Sequence, residues 1–216
     1  MVTRGIAALS VLGLATTADA RTPITAGLKA GVNLSQPFSE LGTGPEITVE
    51  GGYVLPWIEQ RLRVLLQIGW IRTKSDRDLD QTNTGSNADN FPPEGPDGSY
   101  SYKVTEDELM ITPAFYGQLW PRESKVWTPY ATLGPRIYML RTRVDGQEEA
   151  SGADFGRSTE KGTKAGLQFT AGVEYKLWRG SLLGELALGW SFLDHRTTGH
   201  TNTGSLGINF GYRLMF

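Results

Sequence analysis

The chain has 216 residues, 39% of them hydrophobic, with 27 glycines, no cysteine, and 21 basic against 23 acidic residues. That length allows one domain or a small pair. A formal net charge of −2 gives no global pull toward nucleic acid, and the lack of cysteine excludes disulfides and all thiolate chemistry.

Arg4, the apolar stretch from Ile6 to Ala15, and the small residues Ala18 and Ala20 around Asp19 form the pattern of a secretory signal peptide cut after Ala20. The expected division is therefore a signal peptide over 1–20 and one domain over 21–216. The apolar stretch is shorter than the roughly 20 residues of a spanning helix. No later stretch approaches that length, so any crossing of a membrane has to be made by strands.

From Arg21 onward apolar and small or polar residues alternate, the period of a strand. In chain order the alternation marks strands over 23–34, 46–55, 62–71, 108–119, 128–141, 165–177, 182–193 and 206–216. The connections are unequal in a regular way. Short turns lie around Pro56–Glu59, Trp120–Trp127 and Trp178–Ser181. Longer segments lie at about 35–45, 72–107, 142–164 and 194–203. This order is that of an up-and-down meander with one end in open space, as in transmembrane barrels with short periplasmic turns and longer outer loops.

Alternation alone does not say which face is outside, because a soluble barrel puts its apolar set inward. Size separates the two. An eight-stranded barrel has an interior just wide enough to be filled by side chains. The apolar set here is mostly Leu, Ile, Phe, Tyr and Trp, and the polar set carries many glycines, such as Gly27, Gly31, Gly69, Gly134, Gly172 and Gly189. Leu65, Tyr116, Tyr130 and Leu183 are exceptions on the small face. The bulky set is thus expected outside against lipid, where a closed barrel leaves no unpaired backbone edge. Tryptophan argues the same way: Trp57, Trp120, Trp127 and Trp178 fall at short turns, and Trp70 and Trp190 at the other strand ends. Indole rings favour the membrane–water interface.

The signal peptide, the aromatic terminal strand and the run Thr128-Pro-Tyr-Ala-Thr-Leu-Gly-Pro-Arg136 resemble the small eight-stranded outer-membrane β-barrel proteins of Gram-negative bacteria, the OmpA-, OmpX- and PorT-like group. The resemblance implies an all-β, eight-stranded antiparallel up-and-down transmembrane β-barrel in the outer membrane. It also implies that Tyr212, Leu214 and Phe216 address the chain to the outer-membrane assembly machinery. One fold hosts many functions, so activity has to be sought in particular residues.

By parity Lys29, Arg63, Arg136, Lys176 and Arg213 point inward with Glu50, Glu108, Glu174 and Glu185. In a narrow lumen such charges have to pair. The pairs form either a static plug, the favoured expectation, or a rearranging path for ions. Arg72, Lys74, Lys103, Arg141, Arg143, Lys164 and Arg196 gather near the long connections, where lipopolysaccharide presents phosphates, and are expected to form a binding rim. Asp76, Asp78 and Asp80 offer oxygen ligands, but Gln81 and Asn87 replace the glycine and glutamate of a calcium loop, and no metal is expected. Lipid A deacylases of this fold resemble a His-x-Ser pattern; here Thr197 and Asn202 stand two residues after His195 and His200, so the expected nucleophile is missing. The chain reads as a non-enzymatic barrel without cofactors. Its role is structural, or it binds lipopolysaccharide or other envelope proteins. The alternatives are a narrow channel for small solutes or ions, and a component of an envelope-spanning secretion or motility complex.

Overall fold

The structure is a computed structural model that describes residues 23–35, 42–56, 60–80, 99–120, 126–148, 154–194 and 201–216. The expected signal peptide lies outside the described residues. Eight strands follow in order: β1 (Ile24–Leu34), β2 (Thr43–Val54), β3 (Leu62–Asp80), β4 (Ser99–Gln118), β5 (Trp127–Glu148), β6 (Asp154–Leu177), β7 (Gly180–Asp194) and β8 (Thr201–Met215). Each pairs antiparallel with the next, and β8 returns to β1 with Ala30 opposite Phe210, closing the barrel.

Orientation follows the expected parity. Leu28, Val49, Leu66, Phe115, Leu133, Phe169, Leu186 and Phe210 lie exposed on the outer wall, Phe115 by 71%. Polar residues line the inside: Thr25, Thr48, Gln67, Thr112, Thr132, Gln168, Thr170 and Asn209 are all buried. In water this arrangement would be inside out, so the outer wall requires lipid. The four apolar exceptions to the sorting also point inward, where Leu65, Tyr116, Tyr130 and Leu183 pack with Ala114.

The strands depart from expectation at their outer ends. β3 to β6 have 19, 20, 22 and 24 residues, whereas β1 and β2 have 11 and 12. A tilted strand crosses the hydrocarbon with ~9–11 residues. β1 and β2 match that span, and β3–β6 run about twice as far. Segments read from sequence as loops, 72–80, 99–107, 142–148 and 154–164, are therefore strand. Above the membrane an outward residue meets water, so the apolar alternation stops while backbone pairing continues. Asp76, Asp78 and Asp80 thus lie along an extended strand and not in a calcium-type loop; Gln81 and Asn87 lie outside the described residues.

Two local features fix the lower barrel. Leu177 pairs with Gly180, leaving Trp178 and Arg179 as a two-residue turn, with Trp178 in the left-handed region at φ 49°. Pairing of β4 with β5 is interrupted between Ile111↔Ile137 and Phe115↔Leu133, around Pro113 and Pro135, which lack an N–H to donate. Gly134 sits at this close approach: a Cβ there would lie 2.0 Å from the Pro113 carbonyl oxygen.

Candidate functional site

The inner wall builds a charged layer to which every strand contributes. Glu174 of β6 is its hub. It accepts hydrogen bonds from Arg63 Nη1 of β3 at 3.2 Å, from Tyr116 Oη and Gln118 Nε2 of β4 at 2.7 and 3.1 Å, and from Arg213 Nη1 of β8. Arg213 also donates through Nε to Glu50 of β2, whose other oxygen receives Gln67 Nε2 at 3.2 Å. Lys29 of β1 lies 3.2 Å from Glu50 and 2.8 Å from Glu185 of β7, and Tyr130 of β5 donates to Glu185. Three cations, Lys29, Arg63 and Arg213, meet three carboxylates, Glu50, Glu174 and Glu185. The Tyr116 and Tyr130 rings stack with centroids 4.8 Å apart, and both guanidinium groups lie over Tyr116, at 4.4 and 5.0 Å. Arg63 and Arg213 are each 1% exposed.

Toward the outer end the balance changes. Glu46, Glu106 and Glu108 are buried there with Arg136, which is held by Thr112 and Gln168, both at 3.1 Å from its Nε. Thr142 donates to Glu106 at 2.7 Å. One oxygen of Glu108 and the hydroxyl of Thr73 have no hydrogen-bond partner among the described residues. Ile71, Met110, Tyr138 and Leu140 pack as an apolar layer between these groups. Among the described residues no set of three or more acidic or histidine side chains is placed to hold a metal ion.

Eight of the nine lumen residues expected from sequence are buried inside. Arg136 and Glu108 are inside but form no ion pair among the described residues. Lys176 needs correction. Its register partner is buried Ser181, so it shares the inward face, but it sits at the mouth with its side chain exposed. Gln67, Gln118, Tyr116 and Tyr130 belong to the charged layer, and Glu46 and Glu106 to the outer group, although the sequence reading does not pick them out as members. Parity alone would add Glu46, whereas Glu106 lies beyond the end of the apolar run.

The expected basic rim is redrawn. Arg72, Lys74, Lys103, Arg141 and Arg143 alternate on the outer face of β3, β4 and β5. Lys164 does not: unbroken parity from Gln168 puts it on the inner face, opposite Tyr138. Its place outside is taken by exposed Lys161, directly opposite Arg141. Arg196 lies outside the described residues. Arg72 is held by Asp107 through two hydrogen bonds of 2.7 and 3.0 Å, and lies 5.7 Å from the Trp70 ring. Those hydrogen bonds hold the Asp107 carboxyl below its ordinary range and raise the Arg72 guanidinium.

The tryptophans are spread over both ends. Trp127, Trp178 and Trp190 are exposed, and Trp120 donates to the Trp127 carbonyl at 2.9 Å. Trp70 is half-buried, the last apolar outward residue of β3 before Arg72. Trp57 lies outside the described residues. In the terminal strand Tyr212 donates to the Leu177 carbonyl at 3.0 Å, and the Phe216 amide donates to Ile24 at 3.1 Å.

Among solved structures, the chain is similar to a major outer membrane protein from Thermus thermophilus, at 14% identity and a TM-score of 0.51, covering 89% of this chain and 99% of that one. It is similar to the outer membrane protein OprG from Pseudomonas aeruginosa, at 11% identity and 0.50, covering 90% and 97%. Neisserial surface protein A aligns at 17% identity and 0.49, covering 92% and 100%. The first two likenesses speak to the fold alone. No curated protein matches the chain significantly. The model of the outer membrane protein beta-barrel domain matches residues 5–213, nearly the whole chain, which therefore belongs to that family.

Proposed function

We propose that this outer-membrane barrel is a non-enzymatic protein with a statically plugged lumen, so that its work is done at the outer wall, the outer strand extensions and the short turns. Membership of the family puts the chain in the outer membrane. The observation that carries the plug is the neutral layer of Lys29, Arg63, Arg213, Glu50, Glu174 and Glu185, closed by groups from all eight strands. Opening it would expose several charges at once to an imperfectly paired state, and unpairing one buried charge costs about 3–5 kcal/mol. Reconstituted in a planar bilayer, the folded barrel is expected to give no discrete conductance steps; steady opening events would overturn the plug.

The runner-up is a narrow channel. It draws on the inner face of the outer half of the lumen, where Glu46, Glu106, Glu108 and Glu160 outnumber Arg136 and Lys164. A conducting barrel of this kind would favour cations, which a reversal potential under a salt gradient reads directly. Against a catalytic role stands the sequence: Thr197 and Asn202 occupy the places where the resembling deacylases carry serine. Export through a cleaved signal peptide predicts Arg21 as the first residue of the purified protein. An intact Met1 would refute it.

A further inference from the structure

We infer that the outer wall of β3–β6, just above the apolar band, is a binding site for the phosphorylated headgroup of a membrane glycolipid of the outer leaflet. It would be a one-sided site and not a ring. The inference rests on the outer-membrane placement and not on the plug, so a conducting lumen would leave it standing.

The register assembles the site. Arg72, Asp107, Arg141 and Lys161 are successive cross-strand partners on β3, β4, β5 and β6, and Lys74, Thr105, Arg143 and Thr159 form the next row outward. Lys103 lies above these on β4. The two rows nearest the apolar band carry five basic residues, Arg72, Lys74, Arg141, Arg143 and Lys161, against Asp107 alone; farther out the register positions of the same face alternate in sign, with Asp76 opposite Lys103 and Asp145 opposite Arg157. No described outward position on β7, β8, β1 or β2 carries a charge: that wall is Leu188, Trp190, Leu206, Val32 and Ile47 at the corresponding ends.

Two features point to an anion rather than to ordinary surface charge. Arg141 and Lys161 stand directly opposite each other, which brings their Cβ atoms within about 5.5 Å, and like charges so placed repel. Arg143 follows two residues along the same face of β5. Asp107, the nearby carboxylate, has both oxygens on Arg72 and is shared electrostatically with Arg141 and Arg143, so one carboxylate serves three guanidinium groups. A phosphate relieves this repulsion and offers three acceptor oxygens to guanidinium groups. The floor of the site selects a lipid over a free anion. The row beneath is Trp70, Leu109, Met139 and Thr163, and below it the apolar wall continues through Ile68, Ile111, Ile137 and Ala165. Acyl chains can lie on that wall while their phosphates meet the arginines.

The test uses the full mature chain folded in detergent micelles and bisphosphorylated lipid A as the probe, with bound lipid counted by native mass spectrometry. Each Lys or Arg near a charged surface contributes about 1 kcal/mol, so R141Q/R143Q/K161Q is expected to weaken binding on the order of a hundredfold. K176Q, at the opposite mouth, is expected to bind as the parent does. Heat-dependent gel migration checks that each variant is folded. If the triple variant does not fold, the parent chain still decides, because enzymatically dephosphorylated lipid A is expected to bind as weakly as the triple variant binds the intact lipid. Equal binding of the phosphorylated and dephosphorylated lipid would overturn the site. So would undiminished binding to a folded triple variant, or displacement of the lipid by inorganic phosphate at comparable concentration.

Discussion

Glu174 is a carboxylate with two cations and two neutral donors directed at it, deep in a wall of strands. Removing it leaves Arg63 without its recorded ion-pair partner, and Arg213 with Glu50 alone. Glu174→Ala should therefore destabilise the barrel by about 3–5 kcal/mol. Urea unfolding in detergent, followed by heat-dependent gel migration, reads this as a lowered midpoint, and an unchanged midpoint would show that the network is incidental. Glycine matters nearby in a different way. A Cβ on Gly172 would lie 2.6 Å from the Tyr130 ring and 2.9 Å from the Gly184 carbonyl oxygen. Gly172→Ala should cost about 1–3 kcal/mol by overpacking, and should loosen the Tyr130–Glu185 hydrogen bond. At this scale the sequence is most legible where parity is unbroken. Arg63, Arg213, Glu50 and Glu174 can be placed inward by counting twos. Tyr116 and Tyr130 look like blemishes in that count because they are large; in fact they fill the lumen beside the arginines and supply hydrogen bonds, which only their cross-barrel partners explain.

Among the strands, the outer halves of β3–β6 carry the lesson about reading from sequence. Alternation between apolar and polar residues reports a difference between two environments, lipid and lumen. Beyond Trp70 on β3 and Leu109 on β4 the outside is water, the contrast disappears, and only backbone hydrogen bonds reveal that the strand goes on. Amide hydrogen exchange should accordingly find protection at 72–74 and 103–107 comparable to that of the membrane-embedded residues, where loops would exchange at once. The Arg72–Asp107 pair adds a pH dependence there. Because the pair depresses the folded carboxyl, its contribution is complete above the ordinary aspartate range and is lost as pH falls through the lower folded value. Protection of these amides should fall in acid, and Asp107→Asn should remove that dependence while lowering protection at neutral pH. The two-residue turn at Trp178 sets two demands against each other. A bulky residue at φ 49° is strained by roughly 1–3 kcal/mol, and the exposed indole suits the lipid interface. Trp178→Gly is expected to stabilise the barrel in small detergent micelles and to lose that advantage in bilayers; an equal effect in both media would mean that the indole anchors nothing.

For the molecule as a whole, closure and sidedness follow from one fact, that most bulky apolar residues and most small or polar ones occupy opposite faces of the strands, the inward exceptions being the two small apolar clusters. The chain's lack of cysteine makes that fact directly measurable. Single cysteines at Leu28, Phe169 and Leu186, which are exposed, and at Gln67, Thr132 and Thr170, which are buried inward, can carry a small fluorophore in barrels refolded into bilayers. Quenching by phospholipids brominated along their acyl chains then reports which side touches hydrocarbon. Strong quenching is expected at Leu28, Phe169 and Leu186 and little at Gln67, Thr132 and Thr170. The opposite pattern, or equal quenching at all six, would contradict this sidedness.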